Sequence, residues 1–501
     1  MDTSCPNDLN ISSLQPAKRN PGERIMPRFH SLVPAVALTM SLQLAVAASA
    51  AEPGNGKEPG EGRSAQERAR STSIVWLESS QADLGKRAAA LTAFLNKGEV
   101  TATVIFNFEG SVGLLVEGNP TATRVRFQQI AKTISDDEKQ NIFGGAAGFD
   151  NVAVDSNPIL YSFAECADPQ WRYDSQERRD WGVDWVWQNK APDDYSTGRV
   201  AWVIDSGIGT GFHGELRVPS RLDCTQSGCP DDGQATDRIG HGTMIAGIIG
   251  ARQGNKKGIV GVAPGANINS LRVVDESTGQ LNLSSVVRAL GWLLYNATGS
   301  DDGNAKTPSP GDVINLSLGA AWSPASKTQR DVEDFLRKLA DMGFKISIAA
   351  GNSDTLGGLA YAQAISPARA GGYGPTAKGG LIVTVSAFDK NGEFWPASAF
   401  GNYYDYFDQN QHKERMSLPN YSEPGMDVLS LWPGPGLAIC SGTSLSAAHM
   451  SGILLWGDVY ESGKVKYDPS AGKLDLGRAP QPGNPNDYED ALLDPIGLKK
   501  P

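Results

Sequence analysis

Residues 198–207 read "GRVAWVIDSG". Five consecutive apolar residues, Val200 to Ile204, run into Asp205, and a Ser-Gly pair turns the chain away. A half-buried strand alternates apolar and polar residues. A strand covered on both faces is apolar throughout, as this one is. Similar runs recur downstream in "NINSLRVV" (267–274), "DVINLSLG" (312–319), "KISIAAGN" (345–352) and "LIVTVSAF" (381–388). Between them lie segments with helical spacing: "HGTMIAGIIGA" (241–251), "LNLSSVVRALGWLLYNA" (281–297) and "TQRDVEDFLRKLADMG" (328–343). Strands alternating with helices predict a doubly wound α/β fold with a mostly parallel sheet. In such a sheet, ligands and chemistry gather at the carboxyl ends of the strands.

Four segments bring reactive groups to those ends. Asp205 closes its strand. His241 lies between glycines in "RIGHGTMIAG" (238–247). Asn352 closes "KISIAAGN". Ser444 follows Gly442-Thr443 in "GTSLSAAHMSG" (442–452), at the start of a helix. Unpaired N–H groups and the helix dipole favour negative charge there. Taken singly, each has a plain structural reading: turn former, exposed ring, turn amide and tight strand-to-helix junction. Together they supply a nucleophile, a general base, an orienting carboxylate and an oxyanion donor, the parts needed for acyl transfer.

These segments resemble the subtilisin family of serine proteases (subtilases). The likeness is carried by "VIDSGIGTGFHGEL" (with Gly214-Glu215 where the family has Pro-Asp), "GHGTMIAGIIGA", "GIVGVAPGANINSLRVV", "VINLSLG", "AAGN" and "SGTSLSAAHMSG". It implies Ser444 as nucleophile, His241 as base, Asp205 as its orienter, and Asn352 with the Ser444 N–H as oxyanion hole. It also implies cleft strands at Gly279, Leu281, Leu316, Ser317, Leu318 and Gly319, with Ala350 and Gly351 lining the pocket before the cut. His213 matches a His near the family's Asp motif, and His449 the family's second His, a packing residue. Ala448 and Ser446 depart from the usual Pro and Ala. No cofactor is expected for catalysis. Structural calcium is a candidate, with its ligands unassigned.

Upstream, strands and helices alternate as β-α-β-β-α-β over residues 72–160, a ferredoxin-like order. By its size and placement this unit resembles a subtilase propeptide, spanning 72–163, that acts as intramolecular inhibitor and folding aid. Self-cleavage is then expected between residues 160 and 177, with the catalytic domain over 164–457 and a loosely ordered tail over 458–501. Arg24, Arg28 and His30 precede the apolar run "SLVPAVALTMSLQLAVAASA" (31–50), which ends in an A-x-A site. The expectation is a signal peptide over 26–50, with residues 1–25 a mis-annotated extension, 51–71 a disordered linker, and no membrane anchor after cleavage. A secreted protein, extracellular or periplasmic, sits in an oxidising compartment. The preferred cysteine pairing is 224–229 with 166–440, free thiols being the alternative.

The net charge of −11 disfavours nucleic-acid and anionic-membrane binding. The 57 glycines and 30 prolines accord with many loops. Two segments stand out: the acidic loop at 222–237 and "NYYDYFDQNQHKERMSLPN" (402–420), either of which could reshape access or bind calcium. The expected activity is that of a secreted, self-processing serine endopeptidase, a monomer acting on polypeptides. The competing readings are a dedicated maturation protease for one exported partner and an inactive subtilase-fold binding protein.

Overall fold

The computed structural model describes residues 72–78, 89–93, 95, 101–108, 111–137, 152–166, 171–172, 176–212, 214–231, 233, 235–297, 303–353, 355–356, 361–374, 381–401, 403–407, 413–434, 436–466 and 475–478. The expected leader, extension and linker, and His213, lie outside these residues.

The buried run Val200–Asp205 forms the strand from which a nine-stranded sheet grows both ways. On one side lie Asn267–Arg272 and then Arg221–Asp223. On the other lie Val313–Leu316, Lys345–Ala349, Ile382–Phe388, Tyr421–Pro424 and Asp475–Arg478, all parallel. Tyr460–Lys464 closes the edge antiparallel. The doubly wound expectation therefore holds, with Asp205 at the point where the strand order reverses. One helical layer, Leu283–Asn296 and Lys327–Asp341, covers one face. The second helix shows why: Val332, Phe335, Leu336 and Leu339 make a single apolar stripe, and the Ser326 hydroxyl accepts from Gln329 N to cap its start. The helices Trp181–Val186, His241–Gly250 and Thr443–Trp456 cover the other face. All fourteen residues of the last are buried, so this helix is enclosed on every side.

Two expectations change. Part of the expected tail is ordered: Tyr460–Lys464 and Asp475–Arg478 complete the sheet, where the Tyr421–Pro424 edge would otherwise carry unpaired backbone groups. The rest of 458–501, beyond Lys466 and these strands, lies outside the described residues. The segment at 312–319 is not one strand. It breaks at Ser317, and Leu318–Ala321 leaves the main sheet for a separate five-stranded one. The long insertion after Phe400 contains a hairpin, Tyr403–Phe407 with Lys413–Ser417.

The upstream unit has four antiparallel strands in the order Ala102–Phe108, Ser111–Glu117, Thr72–Glu78, Ala153–Ser156. This is the expected ferredoxin-like arrangement, with helical residues at 89–95 and the helix Pro120–Ala131. It docks through its own core side chains. Trp76 donates from Nε1 to Thr328 Oγ1 at 2.8 Å. Phe106 stacks on Phe335 at 4.2 Å. Asp155 accepts from Thr328 N at 2.5 Å and from its hydroxyl at 2.8 Å, at the start of Lys327–Asp341. Asn157 accepts from Ser284 N at 2.9 Å, at the start of Leu283–Asn296. Two polar side chains of the small unit thus meet orphan N–H groups of the two helices beneath it.

Both preferred disulfides form, Cys166–Cys440 and Cys224–Cys229. The second closes the acidic loop. Asp223 there is held by Arg272 and Asp231 by Ser220 and Lys306. Both carboxylates are thus engaged by neighbouring side chains. Among the described residues no group of three or more His, Cys, Asp or Glu could hold a metal.

Candidate active site

Asp205 ends its strand 3% exposed. Both of its carboxylate oxygens face His241 Nδ1, at 2.8 and 2.9 Å. The ring is the first residue of its helix, after Gly240 in the left-handed conformation at φ 108°. Burial works to lower the imidazole's pKa, but the charge and hydrogen bond of Asp205, with the charge of Asp237, outweigh it and raise the value above the ordinary 6.5. Holding Nδ1 as the donor leaves Nε2 as the acceptor, and Nε2 has no hydrogen-bond partner among the described residues.

Ser444 is the second residue of the Thr443–Trp456 helix and is fully buried. Its hydroxyl does not bond His241. It donates to Ser317 O at 3.1 Å and accepts from Phe163 N at 3.0 Å. Its own N–H donates to Phe163 O at 3.0 Å. Gly442, at φ 154°, allows this approach: a Cβ there would lie 2.0 Å from Phe163 O. Asn352 is oriented by Thr443, whose N and Oγ1 donate to Asn352 Oδ1 at 3.1 and 2.9 Å. Its Nδ2 is left as a buried donor without a partner among the described residues.

The cleft beside Ser444 is filled by the chain itself. Ile159–Ser162 lies antiparallel between two strands: Leu160 pairs with Leu281, Tyr161 with Gly319, and Ser162 with Leu318. Leu160 and Phe163 are buried, whereas Tyr161 is 48% exposed. The expected cleft residues thus divide. Leu281, Leu318 and Gly319 pair with this segment, and Ser317 meets the Ser444 hydroxyl. Gly279 forms the preceding turn at φ 66°. Leu316 instead lies in the main sheet between Ile204 and Ile348. Ala350 shares a buried cluster with Phe163. Gly351 N donates to Thr443 Oγ1.

The subtilase family model matches residues 200–456, just over half of the chain. The chain belongs to the subtilase family. Subtilisin-like protease 6 of Trichophyton verrucosum is 29% identical over 259 residues, covering 51% of this chain and 50% of that protein. Alkaline serine exoprotease A of Vibrio alginolyticus is 30% identical over 282 residues, covering 54% of this chain and 42% of the relative. Proteinase T of Parengyodontium album is 28% identical over 264 residues, covering 52% and 71%. The matched part spans about half the length of the first of these relatives.

Some residues of this subtilase site escape a reading of the sequence. Asp237 accepts from Ser206 Oγ, Ile239 N, Gly240 N, Thr243 N and Thr243 Oγ1, and so fixes the loop before His241. An Asp shortly before a helix start was the available signal. Phe163 carried none, since its place depends on partners more than a hundred residues away. The two departures near Ser444 are accommodated. Ser446 donates to Glu423 O at 3.0 Å, and Ala448 is buried in the helix core. His449 donates from Nδ1 to Leu445 O, and burial pushes its pKa down to about 4, as suits a neutral packing residue. Its Nε2 lies where a Cβ on Gly182 would be. The Trp-rich start packs inward, with Trp187 edge-on to Trp456 at 5.5 Å. Among the described residues no helix is long and apolar enough to cross a membrane.

Proposed function

We propose that this subtilase is an exported serine endopeptidase made as a precursor that cuts itself between Phe163 and Ala164. The observation that carries the reading is the strand at 159–162, which is paired on both sides and delivers the Phe163 carbonyl to the Ser444 N–H. The chain presents its own peptide bond in the geometry of a bound substrate, a third strand added between two edges.

The chemistry follows from the groups in place. Rotation about the Ser444 side chain exchanges the bond to Ser317 O for one to His241 Nε2, the imidazole's open acceptor. The oxygen attacks the Phe163 carbonyl carbon as His241 takes its proton. The charge forming on the carbonyl oxygen meets the Ser444 N–H and the Asn352 Nδ2 donor, neither of which must reorganise in water. Asp205 stabilises the imidazolium, which then protonates the Ala164 nitrogen as the carbon–nitrogen bond breaks. Water hydrolyses the acyl-enzyme by the same base. Residues 72–163 then remain docked as an inhibitor until they leave, and polypeptides replace them in the cleft. The two disulfides and the leader-like segment at 26–50 support export.

Ser444→Ala tests the assignment. The full chain should remain uncut at Phe163–Ala164 and unlabelled by a fluorophosphonate, while wild type yields a new amino terminus at Ala164 and is labelled. Normal cutting of the variant in a protease-free host would overturn both the nucleophile and the self-processing.

A further inference from the structure

Three residues beyond the proposed cut, the chain is bonded covalently to the strand that leads into the nucleophile. Cys166 forms its disulfide with Cys440, four positions before Ser444. The two cysteines face each other in an antiparallel ladder that also pairs Glu165 with Ser441, and Trp171–Arg172 continues the pairing on the same strand, Gly436–Ser441. Cys166 Sγ lies 3.7 Å from Met244 Sδ, in the first turn of the helix that starts with His241. Gly442 passes so close beneath that a Cβ on it would sit 2.7 Å from Ala164 Cα. Residues 164–166 therefore follow the proposed cut between the helix that carries the base and the strand that leads to the nucleophile.

Resting on the cleavage reading above, we propose that cutting alone does not open this cleft, and that Cys166–Cys440 tethers the leaving strand in it until a dithiol reduces the bond. Hydrolysis frees the Ala164 amine, but only Ala164 and Glu165 precede the anchor. A segment tied within two residues of its free end competes with incoming substrate at an effective concentration on the order of mM or above. A substrate residue entering after the scissile bond must displace it. The prodomain side carries no such bond and can leave. Reduction is accessible: Cys166 is exposed and Cys440 is 1% exposed. A thiolate of the dithiol attacks Cys166 Sγ and expels Cys440 as thiolate. The second thiol of the reagent then resolves the mixed disulfide and expels Cys166. Two electrons pass to the protein, two protons cap its sulfurs, and the reagent leaves as its own disulfide.

The test uses the full chain, produced oxidised and allowed to cut itself. Amino-terminal sequencing reports Ala164, and mass spectrometry reports the disulfides. Casein hydrolysis is expressed per serine titrated by a small fluorophosphonate, whose fluoride leaving group needs no room on the tethered side. This normalisation removes any contribution from prodomain still docked. The expected result is low casein activity per titrated serine, rising at least about tenfold with dithiothreitol. Cys166→Ser/Cys440→Ser should be high without reductant and indifferent to it. Cys224→Ser/Cys229→Ser should respond as wild type does. A wild-type chain that has cut at Ala164, keeps both disulfides and hydrolyses casein at the reduced rate overturns the tether alone. So does the absence of any rise on reduction. An uncut wild-type chain overturns the cleavage reading, and the tether with it.

Discussion

At the scale of single residues, the site is a set of acceptors and donors oriented by their neighbours. His241 is the member whose titration these neighbours shift. Asp205 and Asp237 favour its charged form more strongly than burial disfavours it, so its pKa stands above 6.5. A raised folded value means the His–Asp pair contributes stability fully below the unfolded pKa and loses it as pH rises through the folded one. Activity runs the other way, since only the neutral ring accepts the serine proton. kcat/KM of the processed enzyme should therefore climb with pH, with its midpoint above 6.5. Asp205→Asn should move the midpoint down and lower kcat by on the order of 10⁴-fold. A pH–rate profile in both proteins checks this, and a wild-type midpoint at or below 6.5 would contradict the geometry. Asp205, His241, Asn352 and Ser444 were legible in the sequence because each follows an apolar run or a glycine turn at a strand end. The hydrogen bond of Ser444 to Ser317 was not legible: a side-chain rotamer depends on what fills the cleft.

At the scale of elements, the upstream unit is joined to the two helices it covers. Asp155 and Asn157 follow one another across a single short strand end, yet they serve the starts of two different helices. Removing one cap should cost about 1 kcal/mol, within the usual range for such caps. In an uncut Ser444→Ala background, Asp155→Ala should thus lower the urea midpoint with the m-value unchanged, whereas Gln128→Ala, at an exposed position, should leave it where it was. The strand and helix order of both units could be read from apolar periodicity. The break at Ser317 could not, because "INLSLG" is continuously compatible with a strand and only the Ser444 helix divides it. The proposed cut was expected from sequence only within 160–177; pairing with Leu281 and Gly319 is what supports placing the proposal at Phe163–Ala164.

At the scale of the molecule, the core sheet draws on strands from both ends of the catalytic part. Asp475–Arg478 pairs parallel with Tyr421–Pro424, so the edge next to the Ser444 helix is finished by residues that follow it. Ending the chain after Val459 should lower the apparent Tm by roughly 5 °C or more and promote association through the uncovered edge. Calorimetry with light scattering would show it, and an unchanged, monodisperse protein would mean these strands are dispensable. Composition hid this role, since "KLDLGR" is too short and too polar to signal a strand without its neighbour.

That late pairing also sets a clock. Residues 460–478 are made after every other strand of the main sheet, so the growing polypeptide cannot complete its principal scaffold before they emerge from the ribosome. The upstream ferredoxin-like unit, by contrast, is made in full before the first strand of that sheet. A nascent chain of this design leaves the sheet edge beside its Ser444 helix open until residues 460–478 have been made.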